Sequence, residues 1–177
     1  MKATERDLLQ IAYLHKKMGI PEDYAESRLL VPYSEATELV KVENDFDPRC
    51  FYLSVDTKIA LSHLQEAAHH QQIDLQVYSG FRSYEYQRRL IEDRIITGEP
   101  IETVLSFLAA PGYSEHHTGR AIDLTTSGCT AGCEEFEATE AFKWLEANAD
   151  KYNFKMSYPR SNPWGFVYEP WHWAYQI

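Results

Sequence analysis

The sequence predicts an α+β protein in which a small, mainly antiparallel sheet is flanked by helices. Helical apolar spacing fills much of the first half of the chain, whereas short aromatic-rich segments with strand character follow one another at its end. The composition, with 44% hydrophobic and 25% charged residues, is ordinary for a globular domain. A chain of 177 residues without an internal repeat or a linker is expected to fold as one domain, residues 1–177.

Each element follows from a local signal. Thr4 and Asp7 form a capping box at the start of a first helix, which Gly19 ends. A breaker from Asn44 to Pro48 follows the first strand, and Ser83 is in position to cap a later helix. The further predicted helices are 56–70, 84–96, 103–109 and 134–149, and the predicted strands are 39–42, 75–78, 121–124, 154–158, 165–168 and 171–175.

The charge of the chain limits its partners. Its 17 basic and 27 acidic residues give a formal net charge of −10, which argues against nucleic acid and against an anionic membrane surface. No apolar run approaches the ~20 residues of a transmembrane helix. The first residues lack the apolar segment of a secretory signal. We therefore expect a cytoplasmic location, or a periplasmic or extracellular one if a signal has been removed.

Two motifs carry the chemistry. The first runs from Ser114 to Asp123, and the second is Glu169-Pro170-Trp171-His172. Between them, His116, Asp123 and His172 supply two imidazoles and one carboxylate. A catalytic zinc site needs such a set of three protein ligands beside one open position for water. The sequence therefore predicts a Zn²⁺ cofactor.

The spacing within the first motif allows its ligands to converge. Gly119 lets the chain turn between His116 and the following strand. On that strand Ala121 and Asp123 point to the same face. The small side chain of Ala121 leaves room beside Asp123 for a metal ion and a substrate.

Glu169 is the predicted general base. On a regular strand Glu169 and His172 would face opposite sides, but Pro170 disrupts regular pairing and allows a bend that brings Glu169 to the metal. Zinc lowers the pKa of its bound water toward ~7, and Glu169 would take the proton. Arg82, which follows a flexible corner after a strand, is the candidate to stabilise a developing oxyanion, with a structural ion pair as its alternative role.

Three cysteines are too few for a disulfide framework. Cys129 and Cys133 favour a loop with free thiols or a local disulfide over a second metal site, because no matching pair of ligands accompanies them.

The two motifs resemble those of a known family. Ser-x-His-x-x-Gly-x-Ala-x-Asp from Ser114 to Asp123, followed by the motif from Glu169 to His172, is similar to the zinc D-alanyl-D-alanine carboxypeptidases of the VanY type. These are grouped with lysostaphin-type peptidases and the hedgehog signalling domain. The segment from Ser79 to Ser83 resembles the family's Ser-Gly-Tyr-Arg-Ser, with Phe81 in place of tyrosine. The resemblance spans residues 75 to 173.

The resemblance implies a role for each matching residue. His116, Asp123 and His172 would bind zinc, Glu169 would be the catalytic base, and Arg82 would stabilise the transition state or hold the terminal carboxylate of the substrate. The implied substrate contacts are Ser114, Gln87, Ser83 and Trp171. The implied partner is a peptidoglycan stem peptide or its precursor, cleaved before a C-terminal D-alanine. Residues 75–175 would form the catalytic core, preceded by a helical N-terminal segment, residues 1–40.

Three alternatives remain open. An L,D-carboxypeptidase or an endopeptidase that cuts L-Ala–D-Glu would share the same metal motif. A non-catalytic zinc-binding module is the alternative from another functional class. The presence of Glu169 and Arg82 speaks against that module, because a purely structural zinc site prefers four protein ligands and a closed shell.

Overall fold

A four-stranded antiparallel sheet packed against helices forms the centre of the molecule. The computed structural model describes residues 2–43 and 50–177, and within them the sheet has the strand order β3-β4-β6-β5, beside a separate β1-β2 pair. The strands are β1 Val40–Val42, β2 Phe51–Leu53, β3 Gln76–Ser79, β4 Ala121–Thr125, β5 Phe154–Met156 and β6 His172–Tyr175. The helices are α1 Glu5–Met18, α2 Tyr24–Ser27, α3 Val55–His70, α4 Tyr84–Ile96, α5 Ile101–Val104 and α6 Glu140–Asn148. The predicted α+β class is confirmed.

The main core lies between one face of this sheet and helices α3 and α6. Leu61 and Leu64 of α3, Ile122 and Leu124 of β4, and Leu145 of α6 all belong to one buried cluster and are at most 1% exposed. Full burial of such a side chain stabilises the fold by about 1.5–3 kcal/mol. Since side chains alternate along β4, Asp123, between Ile122 and Leu124, faces the opposite side of the sheet.

The register of β4 fixes what meets on that opposite side. Asp123 pairs with His172 of β6 on one side, and with Ser79 of β3 on the other. A shift in the β3–β4 register lies between Val77 and Ser79. The strand predicted over 121–124 is therefore an inner strand of the sheet, and it places Asp123 of the first motif beside His172 of the second.

The capping signals are confirmed. The Thr4 hydroxyl accepts the backbone N–H of Asp7, and the Asp7 carboxylate accepts the N–H of Thr4 at 2.8 Å. Gly19 ends α1 in the left-handed region, at φ +69°. The hydroxyl of Ser83 accepts the N–H of Tyr86 at 3.0 Å, and α4 has the predicted bounds.

Two predicted elements near the C-terminal half are wrong. Residues 165–168 are not a strand, because the N–H of Val167 bonds to the carbonyl of Ser106 and the Asn162 side chain binds the backbone of Phe166. The helix predicted over 134–149 is split into a 3-10 helix, Glu134–Ala138, and α6. Thr139 separates the two with extended backbone and caps α6 through the N–H of Phe142.

Other differences are smaller. The helix predicted over 103–109 is α5, which begins and ends earlier, since Pro100 supplies its N-cap position. Strand β2 was not predicted; three residues are too few for a periodic signal. The breaker predicted from Asn44 to Pro48 lies outside the described residues.

Helix α1 contacts the rest of the chain through a small cluster. Ile11 and Leu14 pack with Tyr84 of α4, and the Nε2–H of His15 donates to the carbonyl of Pro111 at 2.8 Å. Gly112 lies under Ile11 so closely that a Cβ there would fall 2.4 Å from Ile11 Cδ1. We propose that the N-terminal segment is part of one folding unit, residues 1–177.

Gly112→Ala tests this packing, with Gly98→Ala as its matched control. Both glycines have strongly positive φ, +90° and +96°, but a Cβ at Gly98 would have nothing within 4 Å. Backbone strain alone should cost Gly98→Ala about 1–2 kcal/mol of unfolding free energy. Gly112→Ala should cost about 1–3 kcal/mol more, because the new methyl displaces Ile11. Urea unfolding followed by circular dichroism measures both, and equal losses would contradict the packing of α1.

Candidate active site

One cleft of about 890 Å³ is lined by all nine residues predicted as catalytic, substrate-binding or metal-binding. It lies over the ends of β3 and β6 and the middle of β4. The predicted site residues that line it are Arg82, Ser83, Gln87, Ser114, His116, Asp123, Glu169, Trp171 and His172. Segments from distant parts of the chain therefore converge as expected.

The three predicted metal ligands form a compact, buried group. Ligand atoms of His116, Asp123 and His172 all lie within 4.8 Å of one another, and each residue is 2% exposed. His116 Nε2 lies 3.2 Å from Asp123 Oδ2, and His172 Nδ1 lies 3.0 Å from Asp123 Oδ1. Across residues 2–43 and 50–177 this is the one group of three or more such side chains close enough to hold a metal ion.

A short turn orients His116. The 3-10 helix Glu115–Thr118 ends at Gly119, which has φ +67° and whose Cβ would fall 2.9 Å from Leu39 Cδ2. The predicted glycine turn is thus present, and tertiary contact as well as backbone conformation requires it. The Nδ1–H of His116 donates to the carbonyl of Gly80 at 2.7 Å, which leaves Nε2 as the atom that faces Asp123.

The bend predicted at Pro170 is also present. The N–H of His172 bonds to the carbonyl of Glu169 at 3.1 Å, so Pro170 and Trp171 form the middle of a turn and β6 begins only at His172. This turn brings Glu169 Oε2 within 3.9 Å of His172 Nδ1. On a regular strand, residues three apart would face opposite sides of the sheet.

Burial and charge perturb the ionisable groups of the site. Burial raises the pKa of Glu169 to about 7, with His172 opposing and Asp123 reinforcing the shift. Burial alone would lower the pKa of His172, but hydrogen bonds to Asp123 and Glu115 outweigh it and raise the pKa to about 10. Burial opposes ionisation of Asp123, yet His116 and Arg82 hold its pKa well below the usual range. The raised pKa values of Glu169 and His172 show that this site favours added positive charge, which a divalent cation can supply. Two imidazoles with one carboxylate fit Zn²⁺.

Arg82 forms the structural ion pair that was the alternative considered for it. Its guanidinium donates to Asp123 as an ion pair, and its Nε–H and Nη2–H both donate to the Ser79 hydroxyl, at 3.0 and 2.8 Å. The side chain is 15% exposed and lines the cleft. His117, which is fully buried, donates from Nδ1 to the Arg82 carbonyl and accepts the N–H of Gly112 through Nε2.

Gln87, in the wall of the cleft, has a buried acceptor without a partner in the part of the chain that the structure describes. Its Nε2 donates to the carbonyl of Ala109 at 2.8 Å, whereas its Oε1 is buried with no partner among the described residues. An unsatisfied buried acceptor costs about 1–3 kcal/mol. Ser114 is buried and also lines the cleft, Trp171 is half-buried against the core, and Ser83 already accepts a helix N–H through its hydroxyl.

Glu115 is a charged residue of the site that was not predicted from the sequence. Glu115 Oε2 lies 2.9 Å from His172 Nε2, the ring nitrogen that faces away from Asp123. Its position beside His116 and the usual pairing of ligand histidines with carboxylates were the available signals.

The two cysteines near the cleft are thiols. Cys129 and Cys133 are both free, with their Sγ atoms 3.9 Å apart. Ala131 and Gly132 between them line the cleft rim. This agrees with the loop interpretation, and no third ligand accompanies the pair within the part of the chain that the structure describes.

Helices of the described segments give no sign of a bilayer span. None of them is both long enough and apolar enough to cross a membrane.

Comparisons with known proteins indicate one family. The family described as VanY, D-alanyl-D-alanine carboxypeptidase, matches residues 51–177. The putative carboxypeptidase YodJ of Bacillus subtilis is 30% identical over 174 residues, which cover 93% of this chain and 59% of YodJ. The chain thus spans about three fifths of that relative's length.

Two solved structures share the fold. The LD-carboxypeptidase LdcB superposes with a TM-score of 0.71 at 32% identity, covering 80% of this chain and 69% of LdcB. A mutant of the vancomycin-resistance D,D-pentapeptidase VanY, solved in complex with Zn(II), gives a TM-score of 0.67 at 25% identity and covers 82% of each chain. The chain belongs to the VanY family of D-alanyl-D-alanine carboxypeptidases, which are metallopeptidases.

Proposed function

We propose that the chain is a zinc-dependent D,D-carboxypeptidase that removes the C-terminal D-alanine from peptidoglycan stem peptides or their precursors. The observation that carries this proposal is the convergence of three buried ligand side chains, within 4.8 Å of one another, in the cleft that also holds Glu169 and Arg82. Membership of the family and the Zn(II)-bound relative support the choice of metal and of reaction.

His116, Asp123 and His172 would hold the zinc ion. When bound there, zinc supplies Lewis acidity, which makes water a better nucleophile and polarises the scissile carbonyl. The three ligands leave one side of the site open to the cleft, which is the arrangement of a catalytic rather than a structural centre. Because these side chains are buried, bulk water is excluded from their polar atoms.

Glu169 would act as general base and then as general acid. Its carboxylate takes a proton from the attacking water and returns it to the leaving amine of D-alanine. In the site without metal, burial raises the pKa of Glu169 to about 7, so this carboxyl is more basic than an exposed glutamate and is suited to accept a proton. The turn at Pro170 keeps this carboxyl beside the metal ligands rather than across the strand from them.

Arg82 and Gln87 would bind the substrate. The planar guanidinium of Arg82 suits either the free carboxylate of a C-terminal residue or the oxyanion that develops at the scissile carbonyl. Gln87, which lines the cleft, would help to seat the peptide. Ser83, Ser114 and Trp171 would complete the walls that hold the peptide.

An L,D-carboxypeptidase is the second candidate. The observation in its favour is the similarity to LdcB, an LD-carboxypeptidase, at 32% identity over 80% of this chain. Both activities release a C-terminal D-alanine, and they differ in the configuration of the residue that precedes the cleaved bond. The metal ligands and Glu169 would serve either reaction equally.

Two stem peptides distinguish these activities. The zinc-loaded protein should remove one alanine from a UDP-linked pentapeptide that ends in two D-alanines, and leave the tetrapeptide with one terminal D-alanine intact. The opposite selectivity, read by mass spectrometry, would replace the D,D assignment with the L,D one, and internal cleavage would indicate an endopeptidase. A chelator should abolish turnover. No cleavage of either peptide at full zinc occupancy would overturn the proposed activity.

Glu169→Gln separates the base from the ligands. The amide keeps the size of the side chain but cannot take a proton, so kcat should fall by about 10²–10⁴-fold while zinc occupancy and KM stay close to wild type. Glu102→Gln, at an exposed position of α5, is the control for the loss of one negative charge. If Glu169→Gln binds less than one zinc ion per chain, Glu169 is a ligand and not the base.

Zinc binding should be visible as stability. Free zinc at 100 times its Kd should add about 2.7 kcal/mol to the unfolding free energy of the wild type. Asp123→Asn and His172→Ala should lose that increment, because each removes one of the three ligands. His63→Ala removes an exposed histidine of α3 and should keep it. Differential scanning calorimetry with and without zinc makes the comparison, and an undiminished increment in His172→Ala would contradict the ligand set.

A further inference from the structure

His172 lies between two carboxylates on opposite edges of its ring. Its Nδ1 is 3.0 Å from Asp123 Oδ1, and its Nε2 is 2.9 Å from Glu115 Oε2. A carboxylate accepts a hydrogen bond from an N–H, whereas a metal ion binds a nitrogen lone pair. A neutral imidazole has one nitrogen of each kind. Because Asp123 is a proposed ligand, Nδ1 faces the metal and Nε2–H is left to donate to Glu115.

The two ligand histidines are held in opposite senses. His116 donates from Nδ1 to the carbonyl of Gly80 and offers Nε2 to the site, whereas His172 donates from Nε2 and offers Nδ1. Their anchors differ in charge as well. A hydrogen bond to an ionised carboxylate is roughly twice as strong as one between neutral groups, so Glu115 polarises its imidazole more than Gly80 polarises the other.

Glu115 is itself fixed in place. It lies on the 3-10 helix that also carries His116, so one turn delivers a ligand and a partner of another ligand. Side-chain hydrogen bonds from His172 and from Ser157 hold its carboxylate. The ring of Tyr158 packs on His172 with centroids 4.7 Å apart, which prevents the imidazole from turning away.

An ordinary ion pair is the alternative for this contact. Pairs that reach solvent contribute about 0–1 kcal/mol, and the side chain of Glu115 is 25% exposed. The partner, however, is 3% exposed and offers its other nitrogen to the ligand group, which a pair made only for stability would not require.

We propose that Glu115 is a positioning residue of the metal centre: its carboxylate accepts Nε2–H of His172, selects the tautomer in which Nδ1 is free to bind the metal, and increases the electron density on that nitrogen. The inference rests on the ligand set proposed above, and is independent of which peptide is cleaved. Outer carboxylates of this kind typically change metal affinity by about 10–100-fold.

Competition with a chromophoric chelator measures the zinc Kd of each variant. Glu115→Ala should raise Kd by about 10–100-fold. Glu115→Gln, which is nearly isosteric and keeps a neutral acceptor, should give a smaller rise of roughly 3–10-fold. Glu102→Gln should bind zinc as the wild type does. This order, Ala above Gln above wild type, is the result expected of a positioning carboxylate.

Nitrogen-15 spectra of the zinc-loaded protein supply a second measurement. In the wild type His172 should show a protonated, strongly hydrogen-bonded Nε2 and a metal-bound Nδ1, and in Glu115→Ala the proton on Nε2 should lose its hydrogen-bonded shift. A Kd within twofold of wild type in both Glu115 variants would overturn the proposal. If His172→Ala also bound zinc with wild-type affinity, the ligand set itself would be wrong, which is a distinguishable failure. Should Glu115→Ala not fold, Glu115→Gln alone decides.

Discussion

The pairing of β4 with β6 is the constraint on which the rest of the structure depends. It puts Asp123 opposite His172 and, one residue along, Ile122 opposite Trp173. The first pair faces the cleft and the second faces the core, where both side chains are nearly fully buried. A slip of one residue would expose the apolar pair and separate the ligands at the same time. Hydrophobic burial therefore sets the register that the metal ligands use.

The same strands hold the turn that brings in Glu169. The N–H of Leu124 bonds to the carbonyl of Trp171, and the indole N–H of Trp173 donates to the carbonyl of Pro170 at 2.9 Å. Both bonds satisfy carbonyl groups that a proline-containing turn would leave open. The Glu169 carboxyl, the proposed base, is thus positioned by backbone contacts to core strands, and the nearest basic atom among the described residues, His172 Nδ1, is 3.9 Å away.

The balance of charges explains why this group of side chains favours binding of a divalent cation. The carboxylates of Glu115, Asp123 and Glu169 lie around two imidazoles and a single guanidinium, that of Arg82. With neutral imidazoles the group lacks two positive charges, and burying such an excess in a medium of low dielectric constant is costly. In the absence of metal the raised pKa values of His172 and Glu169 make up that charge with protons. A zinc ion held by His116, Asp123 and His172 would supply the same two charges.

Local signals predicted what local contacts determine, and little else. Helix α4 begins at Ser83 as predicted, since a cap is a contact between neighbours in sequence, and β4 follows from a continuous buried run. The division at Thr139 rests on a local cap, through the N–H of Phe142, that was not recognised in the sequence. The irregular path of residues 165–168 depends instead on Ser106, far away in the chain. Glu115 was missed for the same reason: its meaning comes from His172, 57 residues later, across the β4–β6 pairing. The preference for a D,D or an L,D peptide bond likewise depends on residues that are distant in the chain. Metal ligands and base would be common to both candidate reactions, so selectivity has to arise where the cleft meets the residue before the cleaved bond, through side chains such as Gln87 and Trp171 whose relative positions only the folded chain defines.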